Sequence, residues 1–200
     1  MSAGGQPPSS LSRRIAPASP RSGPRAILGA VGGHLFAVCL AVLGGILGIM
    51  GAAVQEVRAG GLLLLPFIGA PIIEEILKPV GVYVVLVRWP RLLRGRLHTA
   101  LLAALAGLTF GVVEAVVYVK IYVPDPPDWF VTYRFTVPLL LHATASFIVG
   151  LGINQGLLNW ARGRSPLPKA TRNFYIAAIA LHAAFNIVAV ALVISGFLDV

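Results

Sequence analysis

The sequence is poor in charge, especially negative charge, and it contains a single cysteine. Charged residues make up 12% of the 200-residue chain, against about a quarter in soluble domains. Apolar residues make up 57%, and the mean hydropathy is +0.84. This scarcity of charge excludes a soluble enzyme or a soluble nucleic-acid-binding domain, and the lone Cys39 excludes an intramolecular disulfide. The composition therefore predicts an integral membrane protein.

Long apolar runs account for most of the chain. A helix needs about 20 apolar residues to cross a bilayer core. Five runs reach about that length: 27–53, 61–87, 99–122, 136–160 and 173–197. The segment 1–25 is rich in Pro, Ser, Gly and Arg, has almost nothing to bury, and is expected to be a disordered tail. We predict an all-α polytopic membrane helix bundle, a single domain over 26–200 with about five transmembrane helices.

The distribution of basic residues predicts the topology. The chain has 16 Lys and Arg against 7 Asp and Glu, a formal charge of +9. Arginines are concentrated in the tail and in the segments 88–96 and 162–172, whereas the segments between these basic ones are nearly neutral. Because basic segments stay on the cytoplasmic side, the N-terminus is expected in the cytoplasm and the C-terminus outside.

Three of the seven acidic residues lie inside predicted spans: Glu74, Glu75 and Glu114. Placing a charge there costs about 2.5–3.5 kcal/mol on the insertion scale, so such residues are candidates for function. Lys78 follows Glu74 by four residues and Glu75 by three, on the same helix face. It can hold one carboxylate ionised while the other keeps its proton, as general acid–base catalysis requires. The alternative is a structural ion-pair network that joins helices.

Two prolines, Pro71 and Pro79, bracket this acidic pair. Each lacks an amide hydrogen and leaves a carbonyl four residues earlier without its helical partner. Interrupted backbone at membrane depth is tolerated only where protein or water satisfies it. We therefore expect the carboxylates to face a hydrated cavity, although a simple kinked helix is also compatible.

Later spans contribute further polar side chains at helical spacing. Phe110 and Glu114 share one face of the third run, and the fourth run contains His142. His182 and Asn186 are one turn apart in the fifth run. A single histidine in an apolar helix is usually a hydrogen-bonded packing residue. Two histidines at a depth comparable to three carboxylates favour one polar site built from four of the five helices.

These residues together resemble the PrsW-like intramembrane proteases, a branch of the superfamily that contains the type II CAAX prenyl endopeptidases. The pattern of that family is EExxK or EExxR, then FxxxE or FxxxH, an isolated His, and HxxxN or HxxxD on successive helices. The sequence has the four elements in this order: Glu74-Glu75-x-x-Lys78, Phe110-x-x-x-Glu114, His142 and His182-x-x-x-Asn186. Glu114 stands where the second element has Glu or His, and in this the sequence is similar to the PrsW branch.

The resemblance implies an intramembrane endopeptidase that hydrolyses a peptide bond in or near the membrane. It implies that one of Glu74 and Glu75 is the general base that activates water. It further implies that His142 and His182 orient the water or assist proton transfer, and that Asn186 stabilises the oxyanion.

The resemblance also implies supporting roles and leaves the metal open. Glu114 would position the water or a histidine, and Lys78 would set the charge of the carboxylates. His142, His182 and a Glu could ligate Zn²⁺ with an open position. Because no HExxH helix is present and the family has been described both as glutamate-type and as metalloprotease, we expect metal-independent chemistry, with Zn²⁺ as the alternative.

The expected partners are a membrane-protein or membrane-associated peptide substrate and the lipid bilayer, with no nucleic acid. The family and the topology imply a multi-pass protein of the cell membrane, in a prokaryotic plasma membrane. The alternative function is a non-catalytic membrane scaffold in which the EExxK cluster is a structural lock. A small transporter is less compatible, because it would be expected to show repeated halves. Glu75→Gln should leave a protease folded but inactive.

Overall fold

The computed structural model describes residues 24–59 and 65–196, and every regular element in these ranges is helical. The long helices are α1 (Pro24–Ala59), α4 (Arg96–Val117), α6 (Val137–Gly152) and α8 (Lys169–Ile194). The shorter α-helices are α2 (Ala70–Leu77), α3 (Val80–Arg88), α5 (Asp128–Arg134) and α7 (Gln155–Ala161). Short π-helical turns cover Leu65–Gly69 and Tyr118–Tyr122, and a 3₁₀ turn covers Pro90–Leu92. The predicted all-α class is confirmed.

Four stretches of the described chain are long and apolar enough to cross a membrane. They are Gly29–Gly51, Arg96–Tyr122, Asp128–Gly152 and Lys169–Ile194. These stretches correspond to four of the five predicted spans, so the polytopic helix bundle is confirmed. The remaining predicted span, 61–87, is instead divided among a π-helical turn, α2 and α3. Its residues 61–64 lie outside the described ranges.

The two prolines explain why the segment 65–88 is interrupted. Pro71 occupies the first turn of α2, where a missing amide hydrogen costs nothing. Pro79 separates α2 from α3, and its carbonyl accepts hydrogen bonds from the amides of Val82 and Tyr83 at 2.9 and 3.1 Å. The EExxK residues therefore lie on a short helix that ends within the bundle.

The predicted boundaries differ from the observed ones in two further places. The expected continuous span 136–160 is wrong, because α6 ends at Gly152 and α7 begins at Gln155. The side-chain oxygen of Asn154 accepts the amides of Gly156 and Leu157 at 2.8 and 3.2 Å and so caps a new helix. At the N-terminus, α1 begins at Pro24, and residues 1–23 of the expected tail lie outside the described residues.

Small residues let the helices of the bundle pack closely. Helix α4 packs against α1 and α6, α6 packs against α8, and α1 also contacts α2 and α3. The buried core contains many alanines: Ala37, Ala41, Ala103, Ala106, Ala145 and Ala178. Large apolar side chains instead cover the outer faces, among them Leu43, Leu47, Leu101, Ile176 and Val188. An apolar exterior of this kind fits contact with lipid.

We expect Gly107→Ala to destabilise the bundle where α4 meets α6. The added Cβ would lie 2.3 Å from the backbone oxygen of His142 and 2.6 Å from the Cβ of Ser146, so the two helices would have to separate. Such overpacking costs about 1–3 kcal/mol and should lower the melting temperature in detergent. Gly32→Ala is the control, since nothing lies within 4 Å of its added Cβ. Equal melting temperatures for the two variants would contradict this close approach.

Candidate active site

Four helices bring the predicted polar side chains together in the bundle. Helix α2 contributes Glu74, Glu75 and Lys78, and α4 contributes Phe110 and Glu114. Helix α6 contributes His142, and α8 contributes His182. The first helix contributes none of these side chains. All of them except Glu114 are buried, and the Glu114 side chain retains 21% exposure.

The ammonium group of Lys78 lies at the centre of the cluster. Its Nζ is 2.7 Å from Oε1 of Glu75 and 3.2 Å from Oε2 of Glu74. It also lies 2.7 Å from Nδ1 of His142 and 4.5 Å from the centre of the Phe110 ring. Since Lys78 has no exposed surface, these contacts replace water around the charge. Lys78 thus connects α2 to both α4 and α6.

The contacts of His142 define the role of each of its ring nitrogens. Nε2 is 2.8 Å from Oε2 of Glu114, and Nδ1 is 2.7 Å from Nζ of Lys78. Because a carboxylate accepts and an ammonium donates, we infer that Nε2–H donates to Glu114 and that Nδ1 accepts from Lys78. Glu114 therefore fixes both the tautomer and the orientation of this ring.

His182 is held by a carboxylate in the same way. Its Nδ1 is 2.8 Å from Oε1 of Glu75, which makes Nδ1–H the donor and leaves the lone pair on Nε2. Nε2 faces Oε2 of Glu74 at 3.8 Å. The rings of His142 and His182 meet edge to face, with centres 5.1 Å apart. Each histidine is thus oriented by one carboxylate through one nitrogen, and its other nitrogen is directed towards the centre of the cluster.

Two carboxylate oxygens in the cluster have unused hydrogen-bonding capacity. Within the described part of the chain, Oε2 of Glu74 and Oε2 of Glu75 are buried and accept no hydrogen bond, although Oε2 of Glu74 is ion-paired with Lys78 at 3.2 Å. Glu75 has no exposed surface, whereas Glu74 retains 8%. Buried polar atoms are normally hydrogen-bonded, so such exceptions indicate a reactive group or a missing water or ion. Glu74 is therefore the more exposed of these two carboxylates.

Arg134 belongs to this cluster, although the sequence motifs did not include it. It is the last residue of α5, and its Nη2 donates to Oε2 of Glu114 at 3.1 Å. Its guanidinium lies over the Tyr118 ring, 3.6 Å from the ring centre. In the sequence it lies in the segment between the third run, which contains Glu114, and the fourth run. Nothing in the sequence spacing specified which acid it would contact.

The two remaining predicted residues are Phe110 and Asn186. Phe110 is buried, and its ring packs against that of His142 with centres 5.2 Å apart. Asn186 is half-buried on α8, one turn after His182. Phe110 therefore supports the ring of His142 and the Lys78 ammonium.

Glu74, His142 and His182 fit a divalent metal ion. One ligand atom from each lies within 4.8 Å of the others, and all three residues are buried. The cluster contains three carboxylates and two cations, Lys78 and Arg134. Its net charge is therefore −1 when both histidines are neutral. Histidine ligands that donate their other nitrogen to a carboxylate are typical of metal sites. A metal would have to displace the Lys78 hydrogen bond from the single lone pair on Nδ1 of His142.

Comparisons with known proteins identify the family. A family model described as PrsW family intramembrane metalloprotease matches residues 24–199. No curated protein and no solved structure matches the chain. Because the family model covers most of the sequence and includes every residue of the cluster, the chain belongs to the PrsW family of intramembrane proteases, as its motifs predicted.

Proposed function

Proceeding from membership of the PrsW family, we propose that this chain is an endopeptidase that cleaves a peptide bond in or beside the membrane. One observation carries the proposal. Glu74, His142 and His182 converge from three helices on a buried point, and an oxygen of Glu74 accepts no hydrogen bond there. A carboxylate and two imidazoles that converge on one point can bind a water molecule and remove its proton.

The contacts suggest a division of labour among the side chains. In metal-free chemistry, Glu74 is the general base that takes the proton of the attacking water, because its Oε2 faces the point of convergence. Glu75 and Glu114 hold the two histidines in the orientation that directs one nitrogen of each inwards. Lys78 balances the charge of Glu74 and Glu75. Asn186, one turn beyond His182, donates to the oxyanion of the tetrahedral intermediate.

The same residues support a metal as the cofactor. Oε2 of Glu74, Nδ1 of His142 and Nε2 of His182 would hold a zinc ion, with an open position for water or substrate. Glu74 would then be a metal ligand and not the base. When bound, the ion would polarise the scissile carbonyl and the attacking water. The metalloprotease description of the family and the carboxylate behind each histidine support this assignment over the metal-free chemistry favoured by the sequence alone.

The substrate is proposed to be a membrane protein or a membrane-associated peptide. The four candidate spans and the exposed apolar outer faces would keep the enzyme in the bilayer, where such a substrate can reach it by lateral diffusion. The family and the predicted topology favour a prokaryotic plasma membrane, with the bundle as one domain that follows the N-terminal tail.

A scaffold with a structural lock is less compatible with the contacts. A buried ionic lock gains stability only when its lone pairs are satisfied. Here Glu74 and Glu75 each keep one buried oxygen without a hydrogen bond in the described part of the chain. Buried carboxylate oxygens without a hydrogen bond favour a reactive site.

The proposal is tested by reconstituting the protein in liposomes with a panel of single-span membrane proteins. Wild-type protein should produce new termini, identified by mass spectrometry. A chelator should reduce the rate by about 100-fold or more, since a bound metal supplies several kcal/mol of transition-state stabilisation. Added Zn²⁺ should restore the rate. Cleavage at an unchanged rate in chelator would contradict the metal assignment, and failure to cleave any substrate would contradict the protease assignment.

A further inference from the structure

Arg134 connects the short helix α5 to the centre of the cluster through Glu114. One carboxylate oxygen, Oε2 of Glu114, carries both contacts, accepting from Arg134 at 3.1 Å and from His142 at 2.8 Å. The position of this oxygen therefore depends on Arg134 as much as on the histidine. Any rotation of the carboxylate towards one donor lengthens its hydrogen bond to the other.

The surroundings of Glu114 explain why it needs a second contact. Its side chain is 21% exposed, whereas the side chain of Arg134 is only 11% exposed. Glu114 is also close to the end of α4, where the helix passes into the π-helical turn Tyr118–Tyr122. A partly exposed carboxylate near a helix end has several rotamers available to it, and each rotamer places its oxygens differently.

Arg134 itself is fixed in place from a different direction. Its guanidinium stacks over Tyr118, one helical turn beyond Glu114, with 3.6 Å between the central carbon and the ring centre. Such stacking restrains a planar guanidinium more strongly than it would a flexible ammonium. The stacked arginine can therefore act as a rigid support for the carboxylate.

We propose that Arg134 is a positioning residue of the active site, which fixes Glu114 and through it the ring of His142. This inference rests on the proposed proteolytic function. Arg134 contacts Glu114, and Glu114 contacts His142. Two side chains therefore lie between Arg134 and the reacting atoms. Outer partners of this kind typically affect activity by about 10–100-fold. The effect should be on turnover, since Arg134 is not proposed to touch the substrate.

Arg134→Gln tests this role, with Lys120→Gln as the matched control. Lys120 is an exposed cation in the adjoining π-helical turn, so the control makes the same change in net charge. Arg134→Gln should lower kcat about tenfold with KM unchanged within about twofold. Lys120→Gln should match wild type. Arg134→Lys should recover part of the loss, because it restores the charge without the planar stack.

A double variant separates positioning from general stability. In the Glu114→Gln background, Arg134→Gln should cause no further loss of kcat, because the group through which it acts is already altered. Full additivity of the two losses would overturn the proposal. So would wild-type kcat in Arg134→Gln alone, provided that wild-type protein cleaves its substrate.

A spectroscopic measurement tests the inference without any substrate. In protein labelled with ¹⁵N-histidine, His142 should hold its proton on Nε2 in the wild type. In Arg134→Gln the ring should exchange between tautomers and its signals should broaden. If wild-type protein cleaves nothing but this spectral change occurs, the protease assignment fails and the positioning role of Arg134 stands. An unchanged His142 spectrum in the variant would overturn the positioning role.

Discussion

Replacing Glu74 by glutamine should remove cleavage while the protein stays folded. The amide keeps the size of the side chain but can neither take a proton from water nor ligate a metal as a carboxylate does, and loss of a general base alone lowers rates by about 10²–10⁴-fold. Because Glu74 retains 8% exposure and its ion pair with Lys78 is longer than that of Glu75, at 3.2 Å against 2.7 Å, we expect a smaller loss of stability than for Glu75. The test compares cleavage rates in liposomes with melting temperatures in detergent for the variant and the wild type.

Glu75→Gln is the informative partner of this variant. Glu75 has no exposed surface and accepts from both Lys78 and His182. We therefore expect Glu75→Gln to lower the melting temperature as well as the cleavage rate. The sequence predicted that Glu75→Gln would be folded but inactive, whereas the structure favours Glu74→Gln for that test. If Glu75→Gln alone abolished cleavage at an unchanged melting temperature, while Glu74→Gln remained active, the assignment of the base to Glu74 would be wrong.

Replacing Lys78 by methionine should give the largest loss of stability of any single change in the cluster. Lys78 lies within 3.2 Å of both acidic side chains of α2 and has no exposed surface. Removing one partner of a buried pair leaves an uncompensated charge and costs about 3–5 kcal/mol. Unfolding in detergent, followed by circular dichroism, measures the loss. An unchanged stability would contradict the central position of the ammonium.

Two further variants control for the loss of a lysine as such. Lys169→Met removes an exposed lysine at the start of α8 and should change stability by no more than about 0.5 kcal/mol. Lys78→Met combined with Glu75→Gln removes the charge and its closest partner together. This double variant should be more stable than Lys78→Met alone, because no unpaired charge is left between these two positions.

The sequence predicted the helical class and most of the spans, because apolar length is enough to identify a helix that crosses a bilayer. It did not predict the end of α6 at Gly152. That boundary depends on Asn154, whose side chain caps the next helix through two local hydrogen bonds. Hydropathy averaged over a long window does not register a single capping residue inside an apolar run.

The chemistry of the site was also predictable in part. Burial of charge is so costly in a membrane that Glu74, Glu75, Lys78 and Glu114 were evident from their positions alone. The sequence did not reveal which carboxylate holds which histidine, since Glu75 and His182 are 107 residues apart. The contact of Arg134 with Glu114 depends on how α5 packs against the π-helical turn that follows α4, which no spacing rule specifies.

The most direct test of the account is cleavage in liposomes made up in H₂¹⁸O, with mass spectrometry of the new termini. Wild-type protein should create a new C-terminal carboxyl group that carries one ¹⁸O atom from water, and the Glu74→Gln/Glu75→Gln variant should create none. This result would show hydrolysis of a peptide bond and would identify the bond. The same labelled termini in equal yield from the double variant, or none from well-folded wild type, would contradict hydrolysis at the Glu74, His142 and His182 cluster.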